Sequence, residues 1–151
     1  MINEYYRLTF NYDKFGKGFL KVLREDKEYL VTKARTGSVG QDGKLKNAIS
    51  PITWFIRSGL EVPAQSERDL MLVFGMPGQA WKIRLWTKPT LEENDAISHI
   101  LIHPDGSKDN KNDGNGTDGC IGTLTNAIDF YDFFKIHNFN LSTLKLEVGI
   151  V

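Results

Sequence analysis

The sequence predicts a mostly β domain with one main helix in its C-terminal half. Three observations carry that prediction. Apolar and polar side chains alternate with period two in segment after segment before residue 104. Short clusters rich in Gly, Asp, Asn and Lys separate those segments, as tight turns separate strands. After residue 125 the apolar period lengthens to that of a helix.

In "YYRLTFNY", Tyr6, Leu8, Phe10 and Tyr12 share one face, with Arg7 and Thr9 on the other. "DKFGKG" reads as a turn, "FLKVLRE" as a second strand, "EDKE" as another turn and "YLVTKA" as a third strand. Three short strands joined by tight turns make an antiparallel meander. "RTGSVGQDGKLKNAISP" reads as a loop ending in Pro51, and "ITWFIR" as a β-branched and aromatic strand. "SGLEVPAQSERD" is a loop. "LMLVFG" and "WKIRLW" are strands around the turn "MPGQA", and "AISHILIH" is the strand after the polar "KPTLEEND". In "TNAIDFYDFFKIH", Ala127, Phe130, Tyr131, Phe134 and His137 fall on one helical face. Thr125 or Asn126 is placed to cap its N-terminus, and Asp129 suits the helix dipole there. "STLKLEVGIV" closes the chain as a strand.

At 151 residues with no internal repeat or linker, the chain reads as one domain, residues 1–151. Nineteen basic and nineteen acidic residues cancel, which argues against nucleic acid or an anionic membrane as partner. No run approaches the roughly 20 apolar residues of a membrane span. A single cysteine excludes an internal disulfide and a Cys-rich zinc site, so no metal or cofactor is expected. The N-terminal stretch has no basic segment followed by an apolar one and does not read as a signal peptide.

The chemistry concentrates in "IHPDGSKDNKNDGNGTDGCIGTL", residues 102–124. It begins at His103 and ends around Cys120, 120 − 103 = 17 positions later. A thiol is a weak nucleophile until a base or a positive field removes its proton, and histidine is the usual base. Gly119 allows a sharp turn beside the thiol that aims backbone N–H groups at one point, as an oxyanion hole requires. The Pro104 carbonyl is placed to accept the second imidazole N–H and fix the tautomer. A bland alternative is that Ile121 begins a buried segment and carries the cysteine inward.

The same loop admits a calcium reading. "DNKNDGNGTDG" has the acids and glycine of an EF-hand loop, but Lys111 takes the third position and Cys120 the twelfth, where oxygen ligands belong. An irregular cation site of Asp109, Asp113 and Asp118 is the form that survives this objection.

These residues resemble the catalytic signature of the L,D-transpeptidase domain family. There a histidine after a strand is followed, somewhat under twenty residues later, by a Ser/Thr-x-Gly-Cys element. The resemblance implies His103 as general base, Thr117-Asp118-Gly119-Cys120 as that element, and Cys120 as nucleophile. It gives Pro104 the orienting role and the amides of Gly119 and Cys120 the oxyanion hole. Thr36-Gly37 and Pro51 match the family's opening strands loosely, so the resemblance covers roughly residues 19 to 137. Asp118 stands where the family often has His, and Gly122 where it often has Arg or Asn. The pattern is closer to divergent members, including small effectors delivered by type VI secretion.

The resemblance implies an antiparallel β sandwich or barrel, and acyl transfer on peptidoglycan stem peptides. The products would be a cross-link, an exchanged D-amino acid or, with water, L,D-carboxypeptidase cleavage. Thr117 and Asp118 would help hold substrate. Arg84 and Arg57 are candidates for the stem carboxylates, against ordinary surface roles for both. Trp54, Trp81 and Trp86 line a groove or pack the core. The implied partners are peptidoglycan, a secretion apparatus and a cognate inhibitor protein. The implied compartment is the periplasm or cell wall after non-Sec delivery, otherwise the cytoplasm. Two rival readings are a non-catalytic wall-peptide-binding module and a calcium-stabilised structural domain.

Overall fold

Alternation at the N-terminus produces the expected meander. The computed structural model describes residues 2–62, 81–90, 96–104, 117–137 and 142–151. Strands β1 (Tyr6–Tyr12) and β2 (Lys17–Arg24) pair antiparallel, with Leu8 opposite Val22 and Phe10 opposite Leu20. All four side chains are fully buried. In the turn between them, Asp13 Oδ1 accepts the N–H groups of Phe15 (2.8 Å) and Lys17 (3.1 Å). The next turn places Glu25 and Asp26 at φ 50° and 64°, the left-handed pair that a two-residue hairpin needs.

Strand β3 (Lys27–Val39) continues past Ala34 into the segment that the sequence marks as loop. Two partners extend it. Strand β4 (Leu45–Lys46) pairs with Ser38 and Val39, and strand β8 (Thr117–Thr123) pairs with Ala34, Arg35 and Gly37. Local composition favours a turn, but ladder hydrogen bonds from distant strands override it. The register shifts between Arg35 and Gly37, where Gly37 takes φ +68°.

The remaining described elements are β5 (Thr53–Ile56), β6 (Ile83–Arg84), β7 (Leu101–Pro104), helix α1 (Ala127–Ile136) and β9 (Leu144–Ile150). The expected strand "LMLVFG" lies outside the described residues. Strand order is β5-β9-β1-β2-β3-β8-β7-β6. The pairs β1–β9 and β7–β8 are parallel and the others antiparallel. The two ends of this order meet. Phe55 of β5 and Trp86 exchange both backbone hydrogen bonds, at 2.7 and 2.8 Å, and Glu61 bridges Lys82. Among the described residues the result is a nearly closed, barrel-like sheet with a single helix, the mostly β class that the sequence predicts.

Helix α1 covers the apolar side with Phe130, Tyr131, Phe133 and Phe134, all buried. Phe133 lies outside the predicted stripe. Tyr6 packs on it edge-on at 5.3 Å, and His137 stacks on it at 4.5 Å. The expected side-chain cap is absent. Asn126 is the N-cap at φ 52° without a side-chain cap bond, and its amide donates to Val31 O (2.7 Å). Thr125 bonds the Thr32 hydroxyl instead. Both residues tie the helix start to β3. Among the described residues no helix is long and apolar enough to cross a membrane.

Candidate active site

The site is built on the parallel pair β7–β8. Ile102 stands opposite Ile121, His103 opposite Gly122, and Pro104 opposite Thr123. Ile102 and Ile121 are fully buried in the core. Side chains alternate across a sheet, so His103 and Gly122 belong to the other face. Cys120, two residues before Gly122, shares that face. It is 8% exposed, yet it is not part of the contiguous core among the described residues. The thiol is carried inward with the segment, as the bland alternative has it, but to the side of the sheet away from the apolar cluster. Ile121 goes into the core and Cys120 turns away from it.

His103 and Cys120 thus occupy diagonal positions on one face of adjacent strands. Directly beside His103 is Gly122, which carries no side chain and is itself buried. The His103 Nδ1 lies 2.8 Å from Pro104 O. A carbonyl only accepts, so Nδ1 carries the proton in this contact, and in the neutral tautomer that this selects Nε2 is the acceptor.

The Cys120 sulfur reaches over the start of β7. The Leu101 N–H donates to Sγ (3.3 Å), and the thiol donates to His99 O (3.5 Å). His99 enters only through this carbonyl, because its side chain is exposed. The N–H at Leu101 is a donor that also suits a sulfur anion.

Gly119 takes φ +71°, and a Cβ there would stand 2.9 Å from Ile100 Cδ1. Its N–H donates to Asn47 O at 2.6 Å. The expected oxyanion role for this amide is therefore corrected: in this structure the donor is committed to the loop before β5. A cavity of about 380 Å³ opens beside it, lined by Gly119, Ile100, Asn47, Ser50 and Trp54 among others. That is the size of a small-ligand site. Asn47 and its loop were not singled out by the sequence, which offers only a polar turn there.

Both arginines assigned to substrate carboxylates are engaged in the fold. Arg84 stands opposite Leu101 in the β6–β7 pair. Its guanidinium grips Glu61 through Nε (2.8 Å) and Nη2 (3.1 Å), and Nη1 donates to Ser98 O (2.6 Å). Arg57 lies 3.9 Å over the Trp86 ring and donates to Thr90 O (2.8 Å). Both fasten the seam where the barrel closes, in keeping with the ordinary role weighed against substrate binding for each. Of the three tryptophans, Trp81 and Trp54 belong to the buried core, Trp54 also lining two cavities, while Trp86 lines one of them from outside the core.

The side chains of Thr117 and Asp118 and the Asp109/Asp113 loop lie outside the described residues. Among the described residues no three His, Cys, Asp or Glu side chains cluster as a metal site would. No protein-family model, curated protein or solved structure matches this chain.

Proposed function

We propose that the protein is a cysteine-dependent acyl-transfer enzyme acting on peptidoglycan stem peptides, with L,D-transpeptidase or L,D-carboxypeptidase activity. The observation that carries this reading is the His103–Gly122 pairing. It sets an imidazole with its Nδ1 held by Pro104 O on the same non-core face as the only cysteine.

In the first step the Cys120 thiol gives its proton to His103 Nε2. The thiolate attacks the carbonyl carbon at the L-centre of the diamino acid. The C–N bond breaks, and the imidazolium returns its proton to the departing D-alanine amine. This leaves a thioester on Cys120. An amine acceptor or water then attacks the thioester, His103 takes its proton, and the sulfur leaves. The cavity beside Gly119 is the place for the acyl portion, with Trp54 as an apolar wall. On this reading the protein works in the periplasm or cell wall, where peptidoglycan stem peptides are its substrate.

A second reading is favoured by the thiol's backbone contacts. Sγ sits between Leu101 N–H and His99 O, as a structural thiol does. On that reading the fold binds wall peptide without turnover.

Incubation with tetrapeptide muropeptides, followed by mass spectrometry of protein and products, separates the two. Catalysis predicts an acyl adduct on Cys120 and products lacking terminal D-alanine. Muropeptide binding with neither adduct nor product establishes the binding module instead.

A further inference from the structure

The backbone of residues 47–50 is fixed by its neighbours. Asn47 O accepts the Gly119 N–H (2.6 Å), and the Ile49 N–H donates to Thr36 Oγ1 (2.8 Å). Ile49 O accepts the Tyr12 hydroxyl (2.8 Å), and Ser50 O accepts the Trp54 indole N–H (3.0 Å). Asn47 takes φ 58°, a left-handed conformation that asparagine tolerates better than most residues. Two polar side chains are left over. The Asn47 carboxamide and the Ser50 hydroxyl are exposed and make no hydrogen bond to a described residue. Both residues line the cavity of about 380 Å³ beside Gly119, where Trp54 and Ile100 form the apolar wall. At roughly 30 Å³ for each water-sized group, it has room for about a dozen such groups. None of the described residues that line it carries a charge.

We propose that this cavity binds a short, uncharged peptide segment that bears a carboxamide, with the Asn47 side chain as the recognising group. A carboxamide both donates and accepts, so Asn47 pairs with a second amide through two N–H···O bonds. A carboxylate only accepts. It would set its charge against Asn47 Oδ1 and the wall of Trp54 and Ile100, with no cation among the described lining residues, and burying an unpaired charge is costly. The fixed backbone holds Asn47 in place before a ligand arrives, so little binding free energy is lost in ordering the loop. Gly119 lines the cavity and precedes Cys120, which puts a segment seated there one residue from the thiol. That the segment is the acyl side of a substrate rests on the proposed reaction at Cys120; the preference for a carboxamide does not.

The test compares two probes that differ in one group. N-acetyl-L-glutaminamide carries a side-chain carboxamide, and the α-amide of N-acetyl-L-glutamate carries a carboxylate in its place. Each is titrated at pH 7 into the full chain, labelled with nitrogen-15, and followed by NMR. The signals read are the Asn47 side-chain NH2, the Gly119 N–H and the Trp54 indole N–H. The carboxamide probe is expected to shift all of these and to bind about three- to tenfold more tightly than the carboxylate, the size of one net hydrogen bond. Asn47→Gly keeps the carbonyl that holds Gly119 and a backbone conformation that glycine adopts freely. It is expected to weaken carboxamide binding by a similar factor and to bring the two probes to equal affinity. Equal or tighter binding of the carboxylate probe overturns the proposal. So do shifts confined to other parts of the molecule, the absence of any shift, or an unchanged preference in folded Asn47→Gly. If Asn47→Gly does not fold, nuclear Overhauser contacts between the carboxamide probe and the wild-type Asn47 NH2 decide. Their presence supports the proposal and their absence overturns it. The muropeptide experiment is a separate result. A carboxamide preference without turnover retires the acyl-transfer reaction and keeps this site, while turnover without the preference keeps the reaction and removes the site.

Discussion

Gly122 stands directly opposite His103 in the parallel β7–β8 pair, and Cys120 lies two residues before it on the same strand. Gly122 carries no side chain into the space beside the imidazole. Gly122→Val puts a branched side chain into that space while suiting a strand. Alkylation of Cys120 by iodoacetamide is expected to slow several-fold, with the circular dichroism spectrum unchanged. An unchanged rate would show that reagents reach the thiol by another path.

The base and nucleophile assignments make a paired prediction. Wild-type Cys120 is expected to react with iodoacetamide at pH 6 to 7 faster than a model thiol, because His103 takes its proton. His103→Ala is expected to slow alkylation and to lower turnover of stem peptides by about 10²–10⁴-fold. Cys120→Ala is expected to abolish turnover, and Cys120→Ser nearly so, since a hydroxyl is far harder to deprotonate. Both positions lie off the core face, so melting temperatures are expected to stay near wild type. Slow alkylation that ignores His103 would remove the pair and favour the binding module.

Gly119 is held in a left-handed conformation against Ile100. Gly119→Ala is expected to destabilise the fold by about 1–2 kcal/mol from backbone conformation alone, with a further cost from the 2.9 Å approach to Ile100 Cδ1. Urea titration of Gly119→Ala and of Gly119→Ala/Ile100→Ala separates the parts. The second substitution is expected to recover the contact cost and leave the conformational one. Equal stability of Gly119→Ala and wild type would contradict the assigned geometry.

The Arg84–Glu61 pair is assigned to the seam. Arg84→Met is expected to lower stability by about 1–3 kcal/mol, since it removes hydrogen bonds between a charged donor and its acceptors. It is expected to leave the Cys120 alkylation rate as it was. A variant that melts like wild type but loses turnover would return Arg84 to the substrate.

His137 sits against Tyr6 and Phe133, and burial lowers its pKa from the usual 6.5. The unfolded chain then binds a proton more readily than the folded one. Stability from this group is complete above the unfolded value and is lost as pH falls through the folded one. Melting temperature is therefore expected to drop between pH 7.5 and 5, and His137→Gln is expected to flatten that part of the profile. An identical drop in the variant would assign the effect to other groups.

By itself the sequence determined the fold class, the first three strands, helix α1 and the attention to Cys120 and His103. Those are properties of short stretches, where side-chain period and turn composition act within a few residues. The His103–Pro104 contact belongs with them, because the two residues are neighbours in the chain. Tertiary structure decided the rest. It drew β3 through Arg35 and Gly37 by pairing that stretch with β4 and β8, although its local composition favours a turn. It made two strand pairs parallel, and period-two alternation is the same in either direction. It placed Arg84 against Glu61 and Arg57 over Trp86 at a seam between segments far apart in the chain. It committed the Gly119 amide to Asn47, 72 positions earlier (119 − 47 = 72). It set Arg35 opposite Gly122 and Gly122 opposite His103. Register between strands is fixed by the joint burial of all their apolar faces, and no single stretch of sequence contains that sum.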